Sequence, residues 1–426
     1  MTDPSRSLPL TRSSVAAAHD RIKSHIHRTP VLTSSSLNAI VSAPQSPESL
    51  IGTPWHGQAP SRPKINLFFK CENFQKIGAF KIRGASHALS RLSREELGRG
   101  VVTHSSGNHA QALALAATRF QTTAHIVMPT ISTPSKIAAT KGYGAHVYFS
   151  GSTSDEREAV VREVMANTGA VLVPPYDHPD IILGQGTMAL ELEEQVRELV
   201  GGEAGLSVHR RGALGELDGR GDGEGDGGHA EHHLNAVIAP LGGGGMLAGV
   251  ATALDGTPTR VYGAEPSFQG ADDGKRGLEA GKRVTKVSTL TIADGLRTPV
   301  GEINWTIISD KEKVKGVFAV TEEQIKKAMK LVLERLKVFV EPSACVGLAV
   351  VMFDEGFRRE CEKEGGLEGW DVGIILSGGN VSVEGVAEMF KSDGKGRHVD
   401  GQKTNGEREE GVVGLDGARK AENVAG

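Results

Sequence analysis

Short apolar runs of strand length alternate along the chain with stretches in which apolar residues recur at helical spacing. The runs that predict strands are residues 66–70, 100–104, 124–128, 146–149, 170–173, 236–241, 260–264 and 373–376. Helical spacing is clearest in residues 111–119, 155–167, 186–199 and 322–336. Strands separated by helices predict parallel βαβ units and an α/β fold with helices on both sheet faces. Ligands in such folds lie beyond the carboxyl ends of strands, so the loops that follow strands are the candidate sites.

Three segments interrupt this pattern. Residues 201–230 contain eleven glycines interspersed with Asp and Glu, and residues 42–64 are rich in Pro and Ser. The end of the chain, 391–426, is polar and glycine-rich, with almost no apolar periodicity. Such compositions bury too little apolar surface to offset the entropy of ordering. We therefore expect flexible insertions at 42–64 and 201–233 and a disordered tail at 391–426.

Composition narrows the class of protein. A chain of 426 residues with 38% hydrophobic and 23% charged residues is typical of a globular protein with room for two domains. A formal net charge of −4 and few aromatic residues argue against nucleic acid as a partner. Neither a signal peptide nor a membrane span is predicted, and the three cysteines lack metal or disulfide spacing. We expect a cytoplasmic protein with reduced thiols and no membrane partner.

The strongest local signal is a run of four glycines at 242–245, which follows apolar residues 236–239 and precedes a helix-compatible stretch at 247–254. Glycines leave backbone N–H groups unobstructed and allow positive φ, and the helix N-terminus adds its dipole, so a phosphate group is a suitable ligand. A flexible hinge or a tight turn is the alternative. The run has no GxxxxGK[ST] lysine and no GxGxxG spacing, which argues against a nucleoside triphosphatase and a dinucleotide site.

A lysine with apolar neighbours lies further upstream. Lys81 stands between Phe80 and Ile82 and is followed by small residues. Burial would disfavour its ammonium form and lower its pKa, as an amine that forms a Schiff base requires. For this segment taken alone, a surface lysine with its stem over apolar neighbours is the commoner arrangement.

Two further loops follow predicted strands. In residues 105–111 (SSGNHAQ), hydroxyl, amide and imidazole groups meet at the start of a helix, where free N–H groups can bind a carboxylate. An ordinary serine N-cap is the alternative, and no GxSxG motif supports a hydrolase. Residues 376–380 (LSGGN) form a turn whose small side chains would let a planar ring approach closely.

Taken together and in order, these loops closely resemble the serine racemase and serine/threonine dehydratase branch of the fold-type II pyridoxal 5′-phosphate (PLP) enzymes. The resemblance extends from about residue 15 to residue 390, with interruptions at 42–64 and 201–230. The matching motifs are Phe80-Lys81-Ile82-Arg83-Gly84-Ala85, Thr103-His104-Ser105-Ser106-Gly107-Asn108-His109, the four glycines and Ser377-Gly378-Gly379-Asn380. In addition, Glu341-Pro342-Ser343 resembles a turn that lies close to the cofactor in this family.

The resemblance implies two parallel-sheet α/β domains with PLP between them. Residues 10–100 and 177–390 would form the large PLP-binding domain, and residues 101–176 would form a small mobile domain. It also implies a homodimer that acts on a small amino-acid substrate. It leaves open whether a nucleotide activates the enzyme, as it does in some relatives.

Cofactor contacts follow from the same resemblance, position by position. Lys81 would hold PLP as a Schiff base, Phe80 would pack against its ring, and Asn108 would bind its phenolic oxygen. The residues that would bind the phosphate are Gly242, Gly243, Gly244, Gly245 and Met246. Ser377 would face the pyridine nitrogen, where a hydroxyl makes the ring a weaker electron sink than an aspartate would. Proton exchange or loss of a β-hydroxyl is therefore favoured over transamination.

Two groups carry the implied catalysis, Lys81 and Ser106, which would face the substrate Cα from opposite sides. One removes a proton and the other returns it, which is what racemisation requires. The residues that would bind the substrate carboxylate are Ser105, Asn108 and His109. Arg157 resembles an arginine of the family's small domain, and its alternative is a solvated charge on a helix.

The resemblance therefore implies a serine racemase that also acts as an L-serine and L-threonine dehydratase. A dedicated serine/threonine dehydratase and a 3-hydroxyaspartate ammonia-lyase are the nearest alternatives. From another class, a non-catalytic phosphate-binding module would need the four glycines but neither Lys81 nor Ser106.

Residues 263–273 resemble the family's divalent-cation loop. Glu265, the carbonyl of Ala271 and Asp273 would bind Mg²⁺ or Ca²⁺, since these hard cations prefer oxygen ligands. The spacer between Glu265 and Ala271 is longer than in the racemases, so a bulge could misplace one ligand. Two further departures are Ala110, where the family usually has glycine, and Pro174-Pro175-Tyr176 on the substrate side.

Overall fold

The computed structural model describes residues 4–201 and 233–391. The chain up to Ser382 groups into one compact unit, and a second unit begins at Val383. Residues 202–232, which make up nearly all of the predicted insertion at 201–233, lie outside the described residues. The same holds for 392–426 of the predicted tail at 391–426.

The described residues form ten strands and fifteen α-helices. The strands are β1 (Val31–Leu32), β2 (Ile65–Cys71), β3 (Val101–His104), β4 (Ala124–Pro129), β5 (His146–Ser150), β6 (Val171–Leu172), β7 (Ala236–Pro240), β8 (Arg260–Pro266), β9 (Gly316–Val320) and β10 (Trp370–Leu376). The helices are α1 (Arg12–Ile22), α2 (Ser35–Ser42), α3 (Lys81–Ser90), α4 (Arg94–Arg99), α5 (Asn108–Arg119), α6 (Pro134–Gly142), α7 (Ser154–Thr168), α8 (Pro179–Gly201), α9 (Gly245–Ala253), α10 (Asp273–Ala280), α11 (Glu302–Ile308), α12 (Glu322–Leu331), α13 (Val346–Phe353), α14 (Glu355–Gly365) and α15 (Val383–Lys391). Within these ranges, no helix combines the length and apolar character that a membrane span requires.

The strands form two sheets, in the orders β1-β2-β10-β7-β8-β9 and β5-β4-β3-β6. All neighbouring strands run parallel except β1, which pairs antiparallel with β2. The predicted α/β fold with two parallel sheets is thus confirmed, and β1 is an antiparallel edge strand outside that prediction. The smaller sheet is built from residues 101–172, inside the segment expected to form the small domain. The mobility of that domain stays a prediction.

Residues 42–64, which we expect to be flexible, make contacts with α14. Leu50 is buried, and the Glu355 carboxylate accepts hydrogen bonds from the backbone N–H (2.8 Å) and hydroxyl (3.1 Å) of Ser61. The guanidinium of Arg358 donates to the carbonyl of Ala43 at 2.7 Å. Charged groups of a distant helix thus satisfy backbone atoms that composition alone would leave to solvent. The flexibility of the segment stays a prediction.

Four charged side chains are buried together between β2, α3 and α8. They belong to Lys70, Glu72, Arg83 and Glu191, and none is more than 1% exposed. The Arg83 guanidinium donates to both Glu72 oxygens, at 2.7 and 2.8 Å, and to both Glu191 oxygens, each at 2.8 Å. Lys70 Nζ donates to Glu191 at 2.7 Å. The network therefore holds two positive and two negative charges.

Mutual attraction overcomes the cost of burial for Arg83 and Glu191, whereas burial lowers the pKa of Lys70. Burial alone would raise the pKa of Glu191, but the charge of Arg83 holds that pKa well below its usual range. Burial alone would likewise lower the pKa of Arg83, yet Glu72 and Glu191 raise it. Because α3 begins at Lys81 and packs against α8, these ion pairs fix the helix that carries the candidate nucleophile.

Replacing Glu191 by Gln should strongly destabilise the protein. The change leaves Lys70 and Arg83 with a single buried carboxylate, and removing one partner of a buried ion pair typically costs about 3–5 kcal/mol. Glu198→Gln, on the same helix but in an exposed pair with Arg28, is the matched control and should cost less than about 1 kcal/mol. Urea unfolding of the cofactor-free variants measures both free energies. Equal unfolding midpoints for the two variants would contradict the assigned role of the network.

Candidate active site

Lys81 lies where the segment before α3 meets the loop after β10. The backbone N–H of Phe80 donates to the carbonyl of Ser377 at 3.1 Å, and Gly379 N–H donates to the carbonyl of Gly78 at 2.9 Å. These bonds bring together two of the motifs found in the sequence. Lys81 Nζ donates to the carbonyl of Pro175 at 2.8 Å, and it lies 5.2 Å from the centre of the Phe80 ring.

Burial shifts two opposite charges of the cleft toward their neutral forms. It lowers the pKa of Lys81 to about 8, although the charge of Glu341 opposes the shift. It raises the pKa of Glu341 to about 7, with a further contribution from Asp294. A lysine that is partly uncharged near neutral pH is a competent nucleophile, because only the free amine attacks a carbonyl.

Asn108 begins α5 and faces the same cleft. Its Nδ2 donates to the two carboxylate oxygens of Glu341, at 3.1 and 3.3 Å. Sequence reasoning assigned Asn108 to the cofactor but gave Glu341 no role. The signal for Glu341 was the Glu341-Pro342-Ser343 turn, which does not by itself reveal the side chain's partner.

Two of the four glycines lie directly under Tyr176. A Cβ atom at Gly243 would lie 2.5 Å from the Tyr176 ring, and one at Gly245 would lie 2.8 Å from the Tyr176 carbonyl oxygen. Side chains at these positions would collide with neighbours that have no free space. Close packing therefore requires glycine at both positions.

The other two glycines are closed in by different neighbours. A Cβ at Gly242 would lie 2.9 Å from the Cα of Leu296, and Gly244 adopts φ +94°, with Asn304 Cβ 2.9 Å from its own Cβ position. Asn304 Nδ2 also donates to the carbonyl of Gly243 at 2.7 Å. The loop is thus held from several sides, which argues against the flexible-hinge alternative. Met246, in the first turn of α9, is buried.

The loop after β3 carries the other predicted substrate residues. Ser105 and Ser106 are half-buried between β3 and α5. The His109 side chain is buried, and its Nε2 lies 3.3 Å from the carbonyl oxygen of Val173. Burial and the charge of Lys81 lower the pKa of His109 to about 3, so its ring is neutral and donates to that carbonyl. The imidazole therefore supports the segment after β6, and the membership of His109 in the loop that binds the substrate carboxylate stays a prediction.

Arg157 and Ser377 keep their predicted roles as expectations. Arg157 lies in the first turn of α7, and its guanidinium donates to the carbonyl of Ser152 at 3.1 Å. Burial lowers the pKa of His104, and the positive charge of Arg157 lowers it further, so the two side chains face the same region. Ser377 is buried at the end of β10, next to the segment that precedes Lys81.

The proposed cation ligands Glu265 and Asp273 are buried and accept backbone hydrogen bonds. Glu265 accepts from Gly274 N–H at 3.1 Å and Lys275 N–H at 2.7 Å, and Asp273 accepts from Val300 N–H at 3.0 Å. The loop between Glu265 and Ala271 contains a short 3-10 turn, Phe268–Gly270. No cluster of three or more His, Cys, Asp or Glu side chains suited to a metal occurs in the described ranges. A cation here would depend on two carboxylates and the Ala271 carbonyl.

Comparison with known proteins places this geometry in a family. A family model described as "Pyridoxal-phosphate dependent enzyme" matches residues 51–203 and 227–378. The chain belongs to this family. It is 39% identical to a serine racemase of Arabidopsis thaliana over 89% of this chain and 96% of that protein. It is 38% identical to an L-threo-3-hydroxyaspartate ammonia-lyase of Saccharomyces cerevisiae, over 90% and 98%.

A solved structure of maize serine racemase has the same fold. It superposes with a TM-score of 0.71 at 38% identity and covers 90% of this chain and 97% of that one. The residues of the present cleft fit a pyridoxal-phosphate enzyme: Lys81 has a depressed pKa, and the four glycines form a cup that no side chain could share. Lys81 would hold the cofactor covalently, and the glycine cup would bind its phosphate.

Covalent attachment of PLP to the cofactor-free protein should accelerate as pH rises through about 8 and then level off. The amine is charged below its pKa and nucleophilic above it, whereas an unperturbed lysine would keep gaining reactivity to about pH 10. The growth of visible absorbance measures the rate. Lys81→Ala should abolish attachment, and Lys76→Ala, a neighbouring lysine bonded to the His25 carbonyl, should behave as the parent. Borohydride trapping and peptide mapping that label Lys76 would refute the assignment.

Proposed function

We propose that this enzyme interconverts L- and D-serine and also deaminates L-serine and L-threonine to ammonia and pyruvate or 2-oxobutanoate. The β-hydroxyl leaves as water, and hydrolysis of the resulting enamine product takes up one water and releases ammonia. Relatives named serine racemase, in plants and elsewhere, support the proposal at 36–39% identity over most of the chain.

The cytoplasm is the proposed compartment, since Cys71, Cys345 and Cys361 are free and buried. We also propose a homodimer, as the resemblance implies, and sedimentation analysis would test it.

The placement of Ser106 relative to Lys81 carries the proposal. Strands β3 and β6 are neighbours in the smaller sheet, so the loops at their carboxyl ends lie side by side. Pro175, beyond β6, receives the hydrogen bond of the Lys81 amine, and Ser106 lies beyond β3. The arrangement supports two proton-transfer groups, from different elements, that serve one substrate carbon.

Proton transfer by these two groups accounts for both activities. Bound PLP withdraws electrons from the substrate Cα and so makes its proton acidic. The neutral amine of Lys81 removes that proton from L-serine, and the hydroxyl of Ser106 delivers one to the opposite face. The reverse assignment of the two groups converts D-serine to L-serine. When the β-hydroxyl departs before a proton returns, the product is a keto acid and ammonia.

Replacing Ser106 by Ala should separate the two activities. Formation of D-serine from L-serine should fall by at least about 100-fold, since a positioned acid or base contributes roughly 10²–10⁴-fold to the rate. Pyruvate should still form from L-serine, because elimination needs no proton on the face of residue 106. D-serine should become nearly inert. Chiral chromatography of the products measures all three rates.

Each substrate provides a control for the other in this experiment, because cofactor binding is common to both. Equal rates of D-serine formation by parent and variant would remove Ser106 from the mechanism. A parent that binds PLP but makes no D-serine would leave a one-base dehydratase as the function.

A second candidate function is 3-hydroxyaspartate ammonia-lyase. It is favoured by the yeast relative and by Arg157, a cation near His104 that could pair with a second substrate carboxylate. Product analysis with serine, threonine and 3-hydroxyaspartate distinguishes the candidates. Preference for 3-hydroxyaspartate, lost in Arg157→Ala, would identify the lyase.

We further propose a bound Mg²⁺ or Ca²⁺ at Glu265, the Ala271 carbonyl and Asp273. Burial raises the pKa of Asp273 to about 6 and that of Glu265 well above its usual range. The charge of Asp273 raises the pKa of Glu265 further, whereas the charge of Arg276 partly opposes the shift of Asp273. Neither carboxylate forms an ion pair with Lys or Arg among the described residues. A cation would supply the missing positive charge.

Chelation should lower the melting temperature, and added Mg²⁺ or Ca²⁺ should restore it. A ligand at about 100 times its dissociation constant stabilises the folded state by about 2.7 kcal/mol. Asp273→Asn should melt like the chelated parent and no longer respond to the cation. The matched control is Asp272→Asn, whose carboxylate pairs with Arg276 at the surface and which should keep the response. Identical melting of chelated and untreated parent would show that the lengthened loop binds no cation.

A further inference from the structure

Asn380, at the end of the Ser377-Gly378-Gly379-Asn380 loop, connects three parts of the cleft. Its Nδ2 donates to Oδ1 of Asn108 at 2.7 Å and to the carbonyl of Ile77 at 2.8 Å. Its backbone N–H donates to Glu341 Oε2 at 3.1 Å. A single residue therefore touches the small-sheet side of the cleft, the segment before Lys81, and the buried carboxylate.

The contact with Asn380 fixes which way the Asn108 amide faces. A carboxylate accepts hydrogen bonds, so the Asn108 NH₂ group faces Glu341. The carbonyl end of the same amide accepts from Asn380. Flipping the amide would break both contacts. The NH₂ group has two hydrogens, so it can donate to Glu341 and to one further acceptor.

The contact with Ile77 supports a backbone conformation that is unfavourable for that residue. Ile77 has φ +64°, and Gly78 beside it has φ +73°. The left-handed region is rarely adopted by β-branched residues and is retained only where surrounding contacts require it. Asn380 bonds the Ile77 carbonyl, and its Oδ1 lies 2.8 Å from where a Cβ at Gly78 would be. The Asn380 side chain thus packs against the turn at Ile77 and Gly78, which leads into Lys81.

We propose that Asn380 is a positioning residue that orients the Asn108 amide toward the phenolic oxygen of PLP and holds the turn before Lys81. The proposal rests on the proposed PLP chemistry. Asn380 acts through the two residues that it contacts, and its NH₂ group is the essential feature, since both of its side-chain acceptors are carbonyl oxygens.

Asn380→Asp and Asn380→Ala separate this role from space filling. Aspartate keeps the shape but places a carboxylate against two carbonyl oxygens, whereas alanine only removes the donor. The dissociation constant of PLP should rise by about tenfold in Asn380→Ala and by more in Asn380→Asp. The visible absorbance band of the bound cofactor should also change in position or pH dependence, because the bond to its phenolic oxygen is altered. If Asn380 only filled space, Asp would match the parent and Ala would bind worst.

Two controls make the result specific. Asn66→Asp removes another side-chain amide donor, since Asn66 Nδ2 donates a hydrogen bond to Asp371 Oδ1 at 2.8 Å. This pair lies at the opposite ends of β2 and β10, so the substitution should leave the cofactor spectrum unchanged. In an Asn108→Ala background, the spectral change caused by either substitution at residue 380 should largely disappear. Persistence of the full change in that background would overturn the proposed action through Asn108. If the Asn380→Asp variant folds poorly, the effect of Asn380→Ala can still be compared between the parent and the Asn108→Ala background.

The outcomes also distinguish this proposal from the proposed function. A parent that takes up PLP and forms D-serine, with variants of parent-like affinity and spectrum, would refute the role of Asn380 alone. A parent that binds PLP normally but forms neither D-serine nor keto acid would refute the proposed function, while the spectral comparison at residue 380 would still decide the inference.

Discussion

The structure depends on an arginine that is buried and cannot lose its charge. The Arg83 guanidinium remains protonated at any physiological pH, so its burial requires carboxylates that are equally buried. Glu72 and Glu191 meet that requirement from the end of β2 and from the middle of α8. The position of α3 is therefore fixed by charge as well as by packing. Lys81 lies two residues before Arg83 on the same helix, so the same ion pairs fix its position.

Around Lys81, the cleft is built from backbone segments that meet at the ends of strands. The residues before α3 pair with those after β10, and the loops after β3 and β6 lie opposite. Burial lowers the pKa of Lys81 and raises that of Glu341, so it favours the uncharged form of both side chains. A low-dielectric cleft with few fixed charges is suited to a cofactor whose own charge distribution directs the chemistry.

Sequence patterns predicted the buried strands well, but they gave no sign of the contacts between distant segments. The apolar runs of β2, β4, β7 and β10 are nearly continuous because both faces of a parallel sheet are covered. β9 escaped prediction because it is only half-buried. The four glycines indicated a phosphate cup by their N–H groups, yet nothing local revealed that Tyr176 and Asn304 pack onto them.

The contacts that the sequence could not show depend on distant partners. Residues 42–64 have the composition of a flexible loop, and only the folded chain brings Glu355 and Arg358 to their backbone. His109 stands in a loop of polar residues, but the start of α5 turns its ring toward Val173. Neither composition nor motif resemblance could reveal these partners.

The packing of the four glycines has a consequence for how this enzyme could be redesigned. Because a side chain at any of the four positions would collide with Leu296, Tyr176 or Asn304, no single substitution within the loop has room for a side chain. Libraries that randomise residues 242–245 to accept altered cofactors would therefore yield mostly inactive clones. The accessible route begins one layer outward, at Tyr176, where a smaller residue would first open space over Gly243.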